Sequence, residues 1–184
     1  MNALWFLFGL PVIVLVWFLS AYNGLIRLRN HVRNAWAQIE VQLKRRHDLI
    51  PNLVETVKTY AQHEKGTFEA VARARGSAIG AKGPAAVNEA EQALSGALGR
   101  LLVVVEDYPE LKANENFLAL QEELSSTENR VGFARQFFND SVMRFNTRIE
   151  TIPSNFVAGM FHFEKSEFFE VTTAAEREVQ KVEF

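Results

Sequence analysis

From Ala3 to Tyr22 the chain reads ALWFLFGLPVIVLVWFLSAY, apolar at nearly every position, and no charged side chain occurs before Arg27. About twenty such residues, at about 1.5 Å of helical rise each, match the hydrocarbon thickness of a bilayer. The pattern predicts a lipid-crossing helix in residues 1–26. Leu4 lies in its apolar run, and Trp5 at one end and Trp17 with Tyr22 at the other fall where amphipathic rings settle at the headgroup boundary. Pro11 would weaken a helix in water but is tolerated in lipid, with a kink as its cost. A cleaved secretory signal would want a basic segment before the apolar run, and none is present. A buried core helix seldom carries bulky residues all round.

Downstream the apolar positions fall on one helical face at a time. Trp36, Ile39, Leu43, Ile50, Leu53, Val57 and Tyr60 alternate steps of three and four, close to a coiled-coil heptad, with Arg46 on the one polar step. Pro51 interrupts this pattern, yet the phase is kept, which predicts one kinked helix to about Ile79; the alternative is a break with Asp48 capping a new helix. Gly76, Gly80, Gly83 and Pro84 mark a turn, and a second face runs from Val87 to Val105. Gly96 and Gly99 lower helix propensity there, and the use expected of them is close approach to a neighbouring helix. A third helix is predicted from about Lys112 to Ile152, on Phe117, Leu120, Leu124, Thr127, Val131, Ala134, Phe138, Ser141 and Phe145, ended by Pro153. The aromatic cluster beyond it, including Phe161, Phe168 and Phe169, reads as a short helix packed back on the bundle. The expected fold is all-α: a transmembrane anchor over 1–26, an antiparallel bundle of about four long helices over 27–170, and a mobile charged tail over 171–184.

Charge and candidate chemistry narrow the picture. Twenty Lys and Arg against twenty-two Asp and Glu leave no excess to neutralise a phosphate backbone, so no nucleic-acid partner is expected. The absence of Cys excludes disulfides and thiolate chemistry. The four His are scattered and no Glu precedes a His by three residues, so no metal site is expected in the bundle. The glycines at 76, 80 and 83 lack the Lys-Ser ending of a phosphate loop, and no Gly-x-Ser-x-Gly elbow occurs. Catalytic, cofactor-binding and metal-binding residues are therefore all expected to be none, and the chain is not expected to be an enzyme. Arg27, Arg29 and Arg33 follow the span, which by the positive-inside rule keeps the carboxyl-terminal bulk in the cytoplasm and the amino terminus outside. Lys44, Arg45 and Arg46 form a basic stretch suited to docking. Glu128, Arg135 and Asn139 lie along one side of the third helix, either as a solvated face or as a buried polar layer fixing helix register.

The stretch Val41 to Glu64, VQLKRRHDLIPNLVETVKTYAQHE, resembles the signature of the LemA family, as do Tyr108 to Phe117, YPELKANENF, Leu124 to Glu128, LSSTE, Ala134-Arg135 and Phe168-Phe169-Glu170. The resemblance covers nearly the whole chain after Tyr22. It implies a bacterial inner- or cytoplasmic-membrane protein whose soluble part is an antiparallel bundle of roughly four helices, with no established enzymatic activity. Phe138 and Phe145 stand where Tyr would be expected beside Asn139 and Asn146, so a role for a Tyr hydroxyl there is in doubt. The function expected is a non-enzymatic, membrane-tethered scaffold. Its partners would be membrane lipid, further copies of itself through Gly96, Gly99 and the late aromatic cluster, and another membrane protein. The alternative is an accessory subunit or adaptor of a membrane enzyme or protease, docking through Lys44 to Arg46 or through the His63-Glu64 end.

Overall fold

The structure, a computed structural model, describes residues 3–169, with side chains from Gly9 onward. The side chains of Leu4 and Trp5 and the charged tail over 171–184 lie outside the described residues. Among the described residues the chain forms six helices and no strand: α1 (Ala3–Tyr60), α2 (Lys65–Gly80), α3 (Pro84–Val105), α4 (Pro109–Lys112), α5 (Glu115–Glu150) and α6 (Ser154–Met160). The fold is an all-α helical bundle, as the periodicity predicts.

Helix α1 runs without a break through Pro51, so the kept phase of the seam identified the continuous helix. Proline has no N–H, which leaves the carbonyl four residues back without its helical donor. That carbonyl belongs to His47, and the Arg75 Nε of α2 donates to it at 2.7 Å. The expected extension to Ile79 does not occur. The chain turns over Ala61 to Glu64 and re-enters a helix at Lys65, with the Glu64 N–H donating to the Ala61 carbonyl at 3.1 Å. No Gly or Pro marks this turn, and Phe68 and Val71 continue an apolar face beyond it, which is why periodicity passed over it.

The described chain divides into two units, residues 3–40 with 133–168, and residues 41–132 with 169. In the second unit, Ile50, Leu53 and Val57 of α1, Phe68 and Val71 of α2, Leu94 and Leu101 of α3, Leu111 of α4 and Phe117 of α5 form one core. Asn114 begins α5 by accepting the Phe117 N–H at its Oδ1, 3.0 Å away, an N-cap arrangement, while its Nδ2 donates to the Tyr60 hydroxyl at 3.1 Å. Arg45 meets Glu123 and Tyr60 meets Asn114, so α1 and α5 run antiparallel in this unit. Thr127, a polar step in the α5 seam, is buried at 1% exposure because its hydroxyl donates to the Glu123 carbonyl at 2.8 Å.

In the first unit, Leu25, Val32 and Ile39 of α1, Phe138, Val142 and Phe145 of α5 and Val157 and Ala158 of α6 are buried. Trp36 meets the Phe138 ring edge-on, 5.4 Å between centroids, and its Nε1 donates to Glu40 at 2.7 Å. The Arg29 guanidinium lies 5.3 Å from the centre of the Phe163 ring. Asn146 binds the Ser166 peptide twice: its Nδ2 donates to the Ser166 carbonyl, and the Ser166 N–H donates to its Oδ1, both at 2.9 Å.

The two glycines expected to admit a neighbouring helix do not do so within this chain. A Cβ built at Gly96 or Gly99 meets nothing within 4 Å, and both residues are on the exposed face of α3.

The pairing of Arg75 with the His47 carbonyl predicts a coupling. In the detergent-solubilised chain, Arg75→Met should cost about 1–2 kcal/mol of unfolding free energy, the loss of a charge-assisted hydrogen bond. In a Pro51→Ala background, where the backbone donor returns, the same substitution should cost much less. Equal costs in the two backgrounds, read from urea denaturation, would refute the assignment.

Candidate functional site

The most concentrated polar arrangement among the described residues is buried in the second unit. Glu91 sits on the core face of α3, between Val87 and Leu94, and is 1% exposed. Its two carboxylate oxygens are both engaged from α1: Arg46 Nη1 donates to Oε2 at 3.0 Å, and His47 Nε2 donates to Oε1 at 2.6 Å. The remaining reach of the guanidinium goes to Ser95, one turn further along α3, where Nη2 donates to Oγ at 2.8 Å. Glu128 of α5 stands 3.9 Å from the same Nη2. With Arg75 of α2 on the His47 carbonyl, one polar layer touches α1, α2, α3 and α5.

Burial makes this layer selective rather than cheap. An unpaired carboxylate in an apolar interior costs several kcal/mol, and pairing recovers the cost only when geometry and remaining hydrogen bonds are satisfied. Glu91 meets that condition at both oxygens. The Ser95 hydroxyl accepts from the Arg46 guanidinium. No group of three or more His, Asp or Glu side chains comes together as metal ligands among the described residues. The layer joins α1 to α3 through both oxygens of one buried carboxylate.

Beside it opens a cleft of about 330 Å³. Arg46 forms its inner wall, Leu53, Leu98 and Leu124 its apolar floor, and Ser125 and Glu128 part of its polar rim.

The structure redistributes the residues singled out from sequence. Arg46, expected as a docking cation, is 4% exposed because its seam position points at α3. Lys44 and Arg45 are exposed, and Arg45 pairs with Glu123 at 2.7 Å. Glu128, read as part of either a solvated face or a buried layer, has a side chain 65% exposed at the cleft rim. Arg135 and Asn139 are half-buried and belong to the first unit. Phe169 is a core residue at 1% exposure and offers no surface, whereas Phe161 and Phe168 are exposed. Pro11 and Trp17 are exposed along α1, Tyr22 is half-buried beneath Phe161, Arg27 and Arg33 are exposed, and Arg29 is half-buried against Phe163. Sequence reasoning passed over Glu91. The signal for Glu91 was its spacing, four after Val87 and three before Leu94, a core position occupied by a carboxylate.

An all-α bundle with a buried ionic layer, entered from an apolar amino-terminal helix long enough to cross a membrane, defines the class of the molecule. The model described as the LemA family matches residues 35–184. The chain belongs to the LemA family. It is similar to the magnetosome protein MamQ 2 of Paramagnetospirillum magneticum, 25% identical over 184 residues that cover 86% of this chain and 68% of that protein. It is also similar to the magnetosome protein MamQ of Magnetospirillum gryphiswaldense, 26% identical over 177 residues, covering 82% of this chain and 65% of the relative. Protein LemA of Metamycoplasma hominis is 24% identical over 165 residues, covering 88% of this chain and 72% of the relative.

The layer generates a second prediction. Glu91→Ala strands Arg46 without its carboxylate and should cost about 3–5 kcal/mol of stability. The double substitution Arg46→Met with Glu91→Leu removes both charges and should recover most of that loss. Unfolding curves showing additive costs would refute a buried, mutually dependent pair.

Proposed function

We propose that this LemA-family chain is a membrane-tethered, non-enzymatic scaffold that self-associates at the inner or cytoplasmic membrane. The observation that carries the reading is helix α1. Its amino-terminal part is apolar and exposed, with Leu10, Ile13, Val16 and Leu19 each more than half accessible, and the same helix continues unbroken into residues that form the bundle cores. A buried helix would cover such residues; lipid covers them equally well. The exposed Arg27 and Arg33 support an orientation with the bundle in the cytoplasm. Confinement to two dimensions raises the effective concentration of copies and favours weak lateral contacts. Gly96 and Gly99 support such contacts, because the space beside them is left open by this chain and would admit a helix from another. The magnetosome relatives fit a role at a membrane-bounded structure, which the chain would share as an assembly module rather than as a catalyst. The accessory-subunit reading keeps Lys44 and Arg45 as exposed cations but not Arg46, which is buried.

Three measurements test this reading. The full chain should resist carbonate extraction from membranes, whereas Ile13→Arg with Val16→Arg, at a cost of about 2.5–3.5 kcal/mol per charge at mid-bilayer, should release it. A reporter fused after Phe184 should be active only in the cytoplasm. Crosslinking in native membranes should give homo-oligomers that Gly96→Leu with Gly99→Leu abolishes. Unaltered extraction, an external reporter or a strictly monomeric particle would overturn the tether, the orientation and the self-association respectively.

A further inference from the structure

Helix α6 has two apolar faces. Ser154, Val157 and Ala158 turn inward and are buried, as an amphipathic helix requires. The outward positions of a surface helix are ordinarily polar, yet here they are Phe156, 69% exposed, and Met160, 64% exposed, one turn apart. Ile152 just before the helix and Phe161 just after it are exposed as well. A contiguous apolar patch of this kind on a small unit marks a surface that something covers.

The place of α6 in its unit identifies what covers it. The Phe161 ring lies 4.6 Å from Tyr22 and 5.9 Å from Phe18, centroid to centroid. Phe18 and Tyr22 are the last turn of the apolar segment of α1, and Phe163 adds a third ring contact to Tyr22 at 6.0 Å. A group stacked on Phe18 shares the depth of Phe18. The helical register agrees. Trp36 opposes Phe138 in antiparallel helices, so Glu150, twelve residues along α5, comes level with Gly24, twelve residues back along α1. Helix α5 therefore ends where the apolar segment of α1 ends, and α6 follows at that level. Arg27 and Arg148, both exposed, come within one residue of the same level by this register and stand where lipid phosphates would lie.

We propose that the outer face of α6, Phe156 and Met160 with the flanking Ile152 and Phe161, is a second membrane contact that inserts into the headgroup and upper acyl region of a phospholipid bilayer. The inference rests on the membrane-anchored reading above. The chain is thereby held by a crossing helix and by an interfacial wedge beside it, two attachments in place of one. Two attachments fix the tilt and the rotation of the first unit against the bilayer, which a lone crossing helix leaves free.

The absence of Cys allows a direct test. Single cysteines at Phe156→Cys, Met160→Cys, Ile13→Cys and Glu106→Cys in the full chain are labelled with an environment-sensitive fluorophore and reconstituted into phosphatidylcholine and phosphatidylglycerol vesicles. Lipids carrying a spin-label quencher at shallow or deep acyl positions report depth. The proposal expects a blue-shifted emission at 156 and 160, quenched several-fold more by the shallow than by the deep lipid quencher, with position 13 quenched by the deep one and position 106 by neither. Quenching at 13 with none at 156 and 160 would overturn the wedge while leaving the anchor in place. No lipid quenching at 13 would overturn the anchor itself, and the wedge with it. Labels at 156 and 160 that are shielded from aqueous iodide but untouched by lipid quenchers would show a second protein chain on this face, and would overturn the assignment to lipid.

Discussion

A proline in the interior of the longest helix leaves one carbonyl without a partner, and much of the second unit is organised around supplying it. The carbonyl is that of His47, the donor is Arg75, and the donor can reach it only when α2 folds back along α1. The His47 side chain continues the connection to Glu91, and Arg46 closes it from the preceding position. Three helices, α1, α2 and α3, therefore agree on one level of the bundle through a backbone group, two cations, an imidazole and a carboxylate. Sliding α1 past α3 by a single turn would leave Glu91 buried and unpaired. Apolar seams tolerate such slips far better, because one leucine step resembles the next.

Much of this architecture is legible in residue spacing and part is not. The seam from Trp36 to Tyr60 keeps its phase across Pro51, which is why α1 could be read as one helix; the partner of the freed carbonyl is distant in sequence and leaves no local trace. Pro84 at the start of α3 and Pro153 after α5 mark boundaries through the missing N–H, a purely local effect. The turn after Tyr60 was invisible because it uses Gln62, His63 and Glu64 in place of Gly or Pro, and tertiary packing of Phe68 and Val71 on the shared core decides the reversal. The polar layer was half visible. Arg46 announced itself as the polar step in an apolar seam, but its partner had to be found on α3, and Glu128 and Arg135 were chosen because they share one helix face, a weaker criterion than occupying a core position.

On the proposed reading, the two units divide the labour. The first carries the apolar segment of α1, the aromatic contacts of Phe161 and Phe163 with Tyr22, and the unpartnered face of α6. The second carries the ionic layer, the cleft beside it and the open glycine surface of α3. Lipid contact and chain-to-chain contact thus draw on different residues, and neither depends on a reactive group.

The doubled hydrogen bond between Asn146 and the Ser166 peptide has its own consequence. A side-chain amide presents a donor and an acceptor at the spacing of a neighbouring strand, so it captures extended backbone without needing a sheet; an aspartate would lose the donor and a serine would fall short. One asparagine consequently holds the backbone at Ser166 against α5, and with Phe169 buried three residues further on, the chain stays tied down well past the end of α6.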